Sequence, residues 1–180
     1  MRFAQKTASK RVLKCAINIP HAQGEPCYKT WSMGAFVDKA SGKLKRVDEG
    51  TMASLLIEPQ LPMNYRDRRI ILPKQGGQPC QAFRVMKADI DYNRHMNNAN
   101  YLRMAMELLP DDFQARNLRM EYRVPAKLGD SLTPIIYRPS TTNGVGETNS
   151  DDSTFIVSLS LNNSHSDTGS DVSAIIEFSL

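Results

Sequence analysis

The chain has 180 residues, 41% hydrophobic and 23% charged, with a formal net charge of +4. Those values fit one globular domain, or one domain with part of a second. No apolar run approaches the roughly 18 residues that cross a bilayer, so no membrane role is expected. The ten Gly and ten Pro follow no period, which removes collagen-like and low-complexity classes. The three cysteines (Cys15, Cys27 and Cys80) are odd in number and have no CxxC spacing. That set predicts a reduced, cytoplasmic setting with neither a disulfide framework nor a zinc site. The mild basic balance suits an acidic partner, but no basic stripe interleaved with aromatics is present to suggest nucleic acid.

Arg2, Lys6, Lys10, Arg11 and Lys14 precede the first acidic residue, Glu25, which superficially resembles a transit peptide. The stretch runs straight into Leu13, Cys15, Ile17 and Ile19, whose alternation reads as a strand, and that reading is preferred. With no secretory apolar region, the sequon at Asn162-Asn163-Ser164 is expected to carry no glycan. Trp31, Met33, Ala35 and Val37 alternate as a second strand, residues 38–42 (DKASG) supply turn chemistry, and residues 43–47 return as a short third strand. Residues 51–57 suit one or two helical turns ended by Pro59. Pro59, Pro62, Pro73, Pro79 and the Gly76-Gly77 pair mark residues 59–79 as a linker, in which residues 69–72 (RIIL) could lie against an apolar surface.

The second half is more regular. Phe83 and Val85 suggest a strand that leads into a polar turn. Asn97 or Asn98 caps a helix running to Leu109 and stopped by Pro110. Leu102, Ala105, Met106 and Leu109 form one stripe of it, widened by Tyr101, Met104 and Leu108, so the helix reads as buried. Four strands follow: Leu118, Met120, Tyr122 and Val124 alternate in the first, residues 131–138 form the second, Phe155, Val157, Leu159 and Leu161 alternate in the third, and Val172, Ala174, Ile176 and Phe178 in the last. The Ser/Thr/Asn/Gly-rich connectors at 140–153 and 162–170 read as hairpin loops. One strand, a buried helix and four strands predict an α+β fold in which an antiparallel sheet curls around a single helix. Such a sheet needs a second layer, so a partner domain or a homo-oligomer is implied.

The chemistry concentrates in residues 88–101, ADIDYNRHMNNANY. Asp89, Asp91, Asn93, His95, Asn97 and Asn98 fall where the polar turn delivers the chain to the helix start. The first N–H groups of a helix lack intrahelical partners, and with the helix dipole they suit a carbonyl oxygen that gains charge during acyl transfer. A carboxylate or imidazole beside them can take a proton from water. Asp and Asn are also favoured turn residues that bond their own backbone, and Asn97 and Asn98 are caps first. Glu121 and Arg123 read as a solvated or interface face. Met86, Met96, Met104, Met106 and Met120 read as core or as lining for a flexible acyl chain.

The run Asp89-Ile-Asp91-Tyr-Asn93-Arg-His95-Met-Asn97-Asn98, followed by Tyr101, resembles the second hotdog domain of the acyl-acyl carrier protein thioesterases. The resemblance continues through residues 118–123 (LRMEYR) to Leu180, and residues 27–47, with Trp31, Asp38 and Gly42, resemble more weakly the closing strands of that family's first hotdog. It implies a hotdog fold at 80–180 after the 59–79 linker and a partial hotdog-like β segment at 1–58, and hydrolysis of fatty acyl thioesters on acyl carrier protein, releasing free fatty acid in fatty-acid biosynthesis; no metal or organic cofactor is indicated. By resemblance Asp91 activates the attacking water or attacks the thioester carbon, Asn93 holds the carbonyl or the water, and His95 moves protons. Asn97, Asn98 and Tyr101 are the candidate substrate contacts. Two features depart from the family: Val124 is followed by Pro125-Ala126 where plant members carry Glu-Cys, and the first 75 residues hold no helical pattern of about 12 residues. An acyl- or aryl-coenzyme A thioesterase on the same fold, and a non-catalytic acyl-binding protein or degenerate fragment of a longer enzyme, are the alternatives.

Overall fold

The structure is a computed structural model and describes residues 3–4, 12–20, 26–38, 40–46, 48–50, 57–58, 64–138, 154–162 and 171–180. The expected helical turns at 51–57, apart from residue 57, the start of the linker, nearly all of both hairpin connectors and the last two sequon positions lie outside them. The chain divides into two compact units, residues 1–66 and 67–180.

In the first unit, β1 (Phe3–Ala4) pairs in parallel with β4 (Ile57–Glu58), and β2 (Val12–Pro20) pairs antiparallel with β3 (Pro26–Ala35). The turn after β3 forms where its chemistry predicts. Asp38 Oδ1 accepts from the Ser41 N–H and hydroxyl at 2.8 Å, and Gly42 takes a φ of +67° that a side chain would oppose. The returning segment makes only an isolated bridge, Leu44 to Val37, in place of the expected third strand.

Among the described residues, the second unit is one antiparallel sheet with a single α-helix. Its strands are β5 (Gly77–Pro79), β6 (Phe83–Arg84), β7 (Asn117–Tyr122), β8 (Ser131–Tyr137), β9 (Phe155–Leu161) and β10 (Asp171–Ser179), in the order β5-β8-β9-β10-β7, with β6 also on β8. The helix, α1 (Asn98–Met106), packs against β10. Residues 67–79, assigned to the linker from sequence, belong to this unit: β5 pairs with β8, and Ile70 is buried. Gly77 is required there, because a Cβ would come within 2.7 Å of Ile135 and Tyr137 side-chain atoms.

Period-two patterning accounts for the core. Leu132 and Ile136 on β8, Phe155, Val157, Leu159 and Leu161 on β9, and Ala174, Ile176 and Phe178 on β10 meet Tyr101, Met104 and Ala105 of α1. Burying an aliphatic side chain of this size contributes about 1.5–3 kcal/mol, so these rows fix the register. Pro134 explains why β5 and β6 are separate. Its carbonyl accepts from the Cys80 N–H at 2.9 Å, so its nitrogen, which carries no hydrogen, faces the same side, and the neighbouring strand breaks there between Pro79 and Phe83.

Two sequence expectations shift. The helix ends at Met106 rather than Leu109, since Leu108 and Leu109 bond three residues back in a tightened last turn before Pro110. Its buried face is Tyr101, Met104 and Ala105, and Met106 is 56% exposed. The inward row expected on β7 is only part-covered, with Leu118 46% and Tyr122 43% exposed, because β7 is the edge strand.

On the opposite face of β7, Arg119 pairs with the buried Glu177 and donates to the carbonyls of Asp67 and Arg69 at 2.7 and 3.3 Å. Glu121 accepts from the Ile70 N–H and from Arg123. Burial pushes the Glu121 carboxyl up, but those hydrogen bonds and the charges of Arg123 and Arg69 outweigh it and hold the group below its ordinary value.

Candidate active site

The segment before the helix is a built loop. A 3-10 turn, Lys87–Asp89, leads to Ile90, which bridges Met96, and residues 91–95 form the loop between them. The Asp91 N–H donates to the His95 carbonyl at 2.8 Å and the Arg94 N–H to the Asp91 carbonyl at 3.0 Å. Arg94 has a φ of +64°, the left-handed residue that lets a three-residue loop close between antiparallel partners. Asp91 then caps its own turn, as Asp at the first turn position does. Its Oδ1 accepts from the Asn93 and His95 N–H groups at 2.8 and 3.3 Å, and its Oδ2 lies 3.4 Å from Asn93 Nδ2. The turn reading and the catalytic reading of Asp91 therefore concern one arrangement, in which the hydrogen bonds hold the carboxylate in a single orientation.

Asp89 ties this loop to the helix. Its buried carboxylate accepts from the Met86 N–H at 2.9 Å and pairs with Arg103 at 3.2 Å, while its carbonyl accepts from the Asn97 N–H and from Asn100 Nδ2. Asn97 is the N-cap, accepting from the Ala99 N–H at 2.9 Å on its side chain and from the Asn100 N–H on its carbonyl. Within this stretch, the N–H groups of residues 93–97, 99 and 100 are all taken up by these bonds and by the Met96 N–H to the Ala126 carbonyl, and the Asn98 N–H is taken up by none of them.

All six residues singled out from sequence line one pocket of about 390 Å3: Asp91, Asn93, His95, Asn97, Asn98 and Tyr101. Their roles in its wall differ. Asp91, Asn93 and His95 form the loop side, and Asn97 and Asn98 the helix start. Tyr101 is buried behind them, and its hydroxyl accepts from the Ala126 N–H at 2.9 Å. The far wall comes from residues the motif does not contain: Tyr122, Arg123, Val124, Pro125 and Ser173. Tyr122 sets its ring edge-on to Tyr101, with centroids 5.7 Å apart, and donates its hydroxyl to the Asn98 carbonyl at 3.2 Å. Burial, reinforced by Tyr101, pushes the Tyr122 phenol up to about 12, so it remains a donor over any working pH. Of the methionines expected as acyl lining, Met96 lines the pocket, Met104 is in the core, and Met86 and Met106 are exposed.

Among the described residues no group of three or more His, Cys, Asp or Glu gathers to hold a metal, and no helix is long and apolar enough to cross a membrane. Cys80 is half-buried with a free thiol.

Comparison with solved structures supports the hotdog architecture. An acyl-ACP thioesterase from Bacteroides thetaiotaomicron superposes with a TM-score of 0.73 at 18% identity, covering 97% of this chain and 65% of that one. A 12:0-ACP thioesterase from Umbellularia californica superposes with a TM-score of 0.70 at 12% identity, covering 96% and 62%. This chain thus spans a little under two thirds of the length of these structures. No curated protein sequence gives a match. The sequence model of the acyl-ACP thioesterase C-terminal domain matches residues 74–178, which takes in β5 to β9, all but the last residue of β10, the helix and every residue of the pocket. The chain belongs to the acyl-ACP thioesterase family.

Proposed function

We propose that this chain hydrolyses fatty acyl thioesters carried on acyl carrier protein and releases the free fatty acid. What supports this reading is one pocket at a helix N-terminus lined both by Asp91, whose carboxylate is held by hydrogen bonds, and by Asn98, whose N–H takes part in none of the bonds described. In this reaction Asp91 takes a proton from a water that Asn93 holds, and the oxygen attacks the thioester carbon. The carbonyl oxygen becomes an oxyanion facing the Asn98 N–H and the positive end of the helix. The carbon–sulfur bond then breaks, the acid departs, and the proton that Asp91 took from water passes by way of His95 to the leaving thiolate, which frees Asp91 for the next turnover. Every bond lost is balanced by water, so no cofactor enters.

The family and the charge support this carrier: a net +4 favours the approach of an acidic protein more than it tightens the complex. The odd set of three cysteines supports a cytoplasmic setting. The test is thiol release from acyl-carrier-protein and acyl-coenzyme A substrates of several chain lengths. A kcat/KM at least about tenfold higher on the carrier protein is expected, a difference of about 1.4 kcal/mol. Equal or reversed preference would reassign the substrate handle, and no release from either would remove the hydrolase reading.

Assembly as a homo-oligomer belongs to the same reading, since edge strand β7 leaves Leu118 and Tyr122 part-exposed. Sedimentation at micromolar concentration is expected to give at least twice the 20.2 kDa chain mass, and a single-chain mass would count against it.

A further inference from the structure

Ser173 lies 82 positions beyond Asp91 and outside any motif, yet it sits in the wall of the same pocket. It is the extra residue of a β-bulge: on β9, Ser160 faces Val172 and the adjacent Leu159 faces Ala174, leaving Ser173 without a partner there. A bulge re-aims a side chain that strict alternation would send elsewhere. Here the re-aimed hydroxyl is 1% exposed, 2.6 Å from the Val124 carbonyl oxygen and 3.2 Å from the Tyr101 hydroxyl. The Ser173 carbonyl meanwhile accepts from the Arg123 N–H at 2.8 Å, and Tyr101 accepts from the Ala126 N–H. One hydroxyl proton cannot serve both neighbours, so the shorter contact to Val124 takes it. Residues 123–126, which carry the Pro125 wall, are thereby fastened to β10 and to the helix at once.

We propose that Ser173, together with Tyr101, is a positioning residue that holds the 123–126 wall at a fixed distance from Asp91 and from the helix N-terminus. The role rests on the hydrolase reading above. A packed wall would need no hydroxyl at this point, and a buried hydroxyl bonded on two sides gives its neighbours one geometry rather than several. Misplacement of reacting groups by a fraction of an ångström costs rate rather than affinity.

The test compares Ser173→Ala and Tyr101→Phe, singly and together, with the wild type on one acyl thioester substrate. Each single variant is expected to lower kcat about tenfold, with KM within about twofold. The double variant should lose no more than the worse single one, because the two hydroxyls act as one unit. Melting curves establish that each variant is folded at the assay temperature, and any activity loss that tracks the unfolded fraction would make the role merely structural. An active wild type with unchanged kcat in both variants, a loss confined to KM, or fully additive losses would each overturn the positioning role alone. A wild type that releases no thiol would overturn the hydrolase reading itself, and this role with it.

Discussion

Asp91→Asn is expected to lower kcat for acyl thioester hydrolysis by about 10³-fold, while the melting temperature stays within about 2 °C of the wild type. The two parts of this outcome have separate causes. Asparagine keeps an Oδ1 that accepts from the Asn93 and His95 N–H groups, so the turn that closes residues 91–95 survives. What disappears is the oxygen that carries charge and can accept a proton from water, and its place is taken by an NH2 group facing the Asn93 amide 3.4 Å away. The Asn93 amide can rotate to present its oxygen instead, so the substitution leaves no clash. A 10³-fold loss corresponds to about 4 kcal/mol of transition-state stabilisation, the middle of the range for a positioned general base. Asp91→Ala makes the contrast: it removes the turn acceptor as well, so activity and stability fall together. Steady-state kinetics and a melting curve on both variants check the pair. Activity of Asp91→Asn within about fivefold of the wild type would take Asp91 out of the chemistry and leave it a turn residue.

How far the site could be read from sequence depends on how local its causes are. The loop and the helix cap are local: Asp91, Asn93, Asn97 and Asn98 sit within eight residues, and the Asp91 and Asn97 side chains bond backbone groups two to four positions away. Residue type and spacing therefore specify the arrangement. The opposite wall is not local. Ser173 reaches the pocket through a bulge in β10, and the alternation of Val172, Ala174, Ile176 and Phe178 places it on the outer face unless the bulge is known. Tyr122 was expected to turn inward with Met120, but as an edge-strand residue beside the helix start it lines the pocket and bonds the Asn98 carbonyl. Asp89 stood out as polar, but its role as the tie between loop and helix depends on Arg103, fourteen positions on. The sheet order was partly legible, because strong period-two rows need one covered face, whereas residues 67–79 were misassigned to a linker. Their prolines and glycines describe a chain without regular ladder bonds, and the contacts that hold them come from Arg119, Glu121 and β8, about 50 residues away or more.

That distant anchoring carries the second large effect. Arg119→Leu is expected to destabilise the second unit by about 3–4 kcal/mol, the cost of removing one member of a buried ion pair together with its contacts to the Asp67 and Arg69 carbonyls. The pair is not a surface contact: the Glu177 side chain is 8% exposed and that of Arg119 21%, and Arg119 Nη1 reaches both carboxylate oxygens at 2.9–3.0 Å. Without the guanidinium, the buried Glu177 carboxylate loses two close charge-assisted contacts, which weakens the folded state. The same substitution releases the Asp67 and Arg69 carbonyls, leaving residues 67–70 tied by the Ile70–Glu121 bond and by the burial of Ile70. Glu121–Arg123 differs, with Arg123 38% exposed, and its loss is expected to cost under about 1 kcal/mol. Urea denaturation of Arg119→Leu, Glu177→Leu and the double variant separates the pair from its surroundings. If the cost is that of the broken ion pair, the double variant recovers most of the stability lost by Arg119→Leu, since two apolar side chains of similar reach replace both partners together. If the cost comes from the lost grip on residues 67–70, the double variant stays as unstable as Arg119→Leu. A midpoint shift worth less than about 1 kcal/mol in Arg119→Leu would mean the pair is hydrated enough to be dispensable.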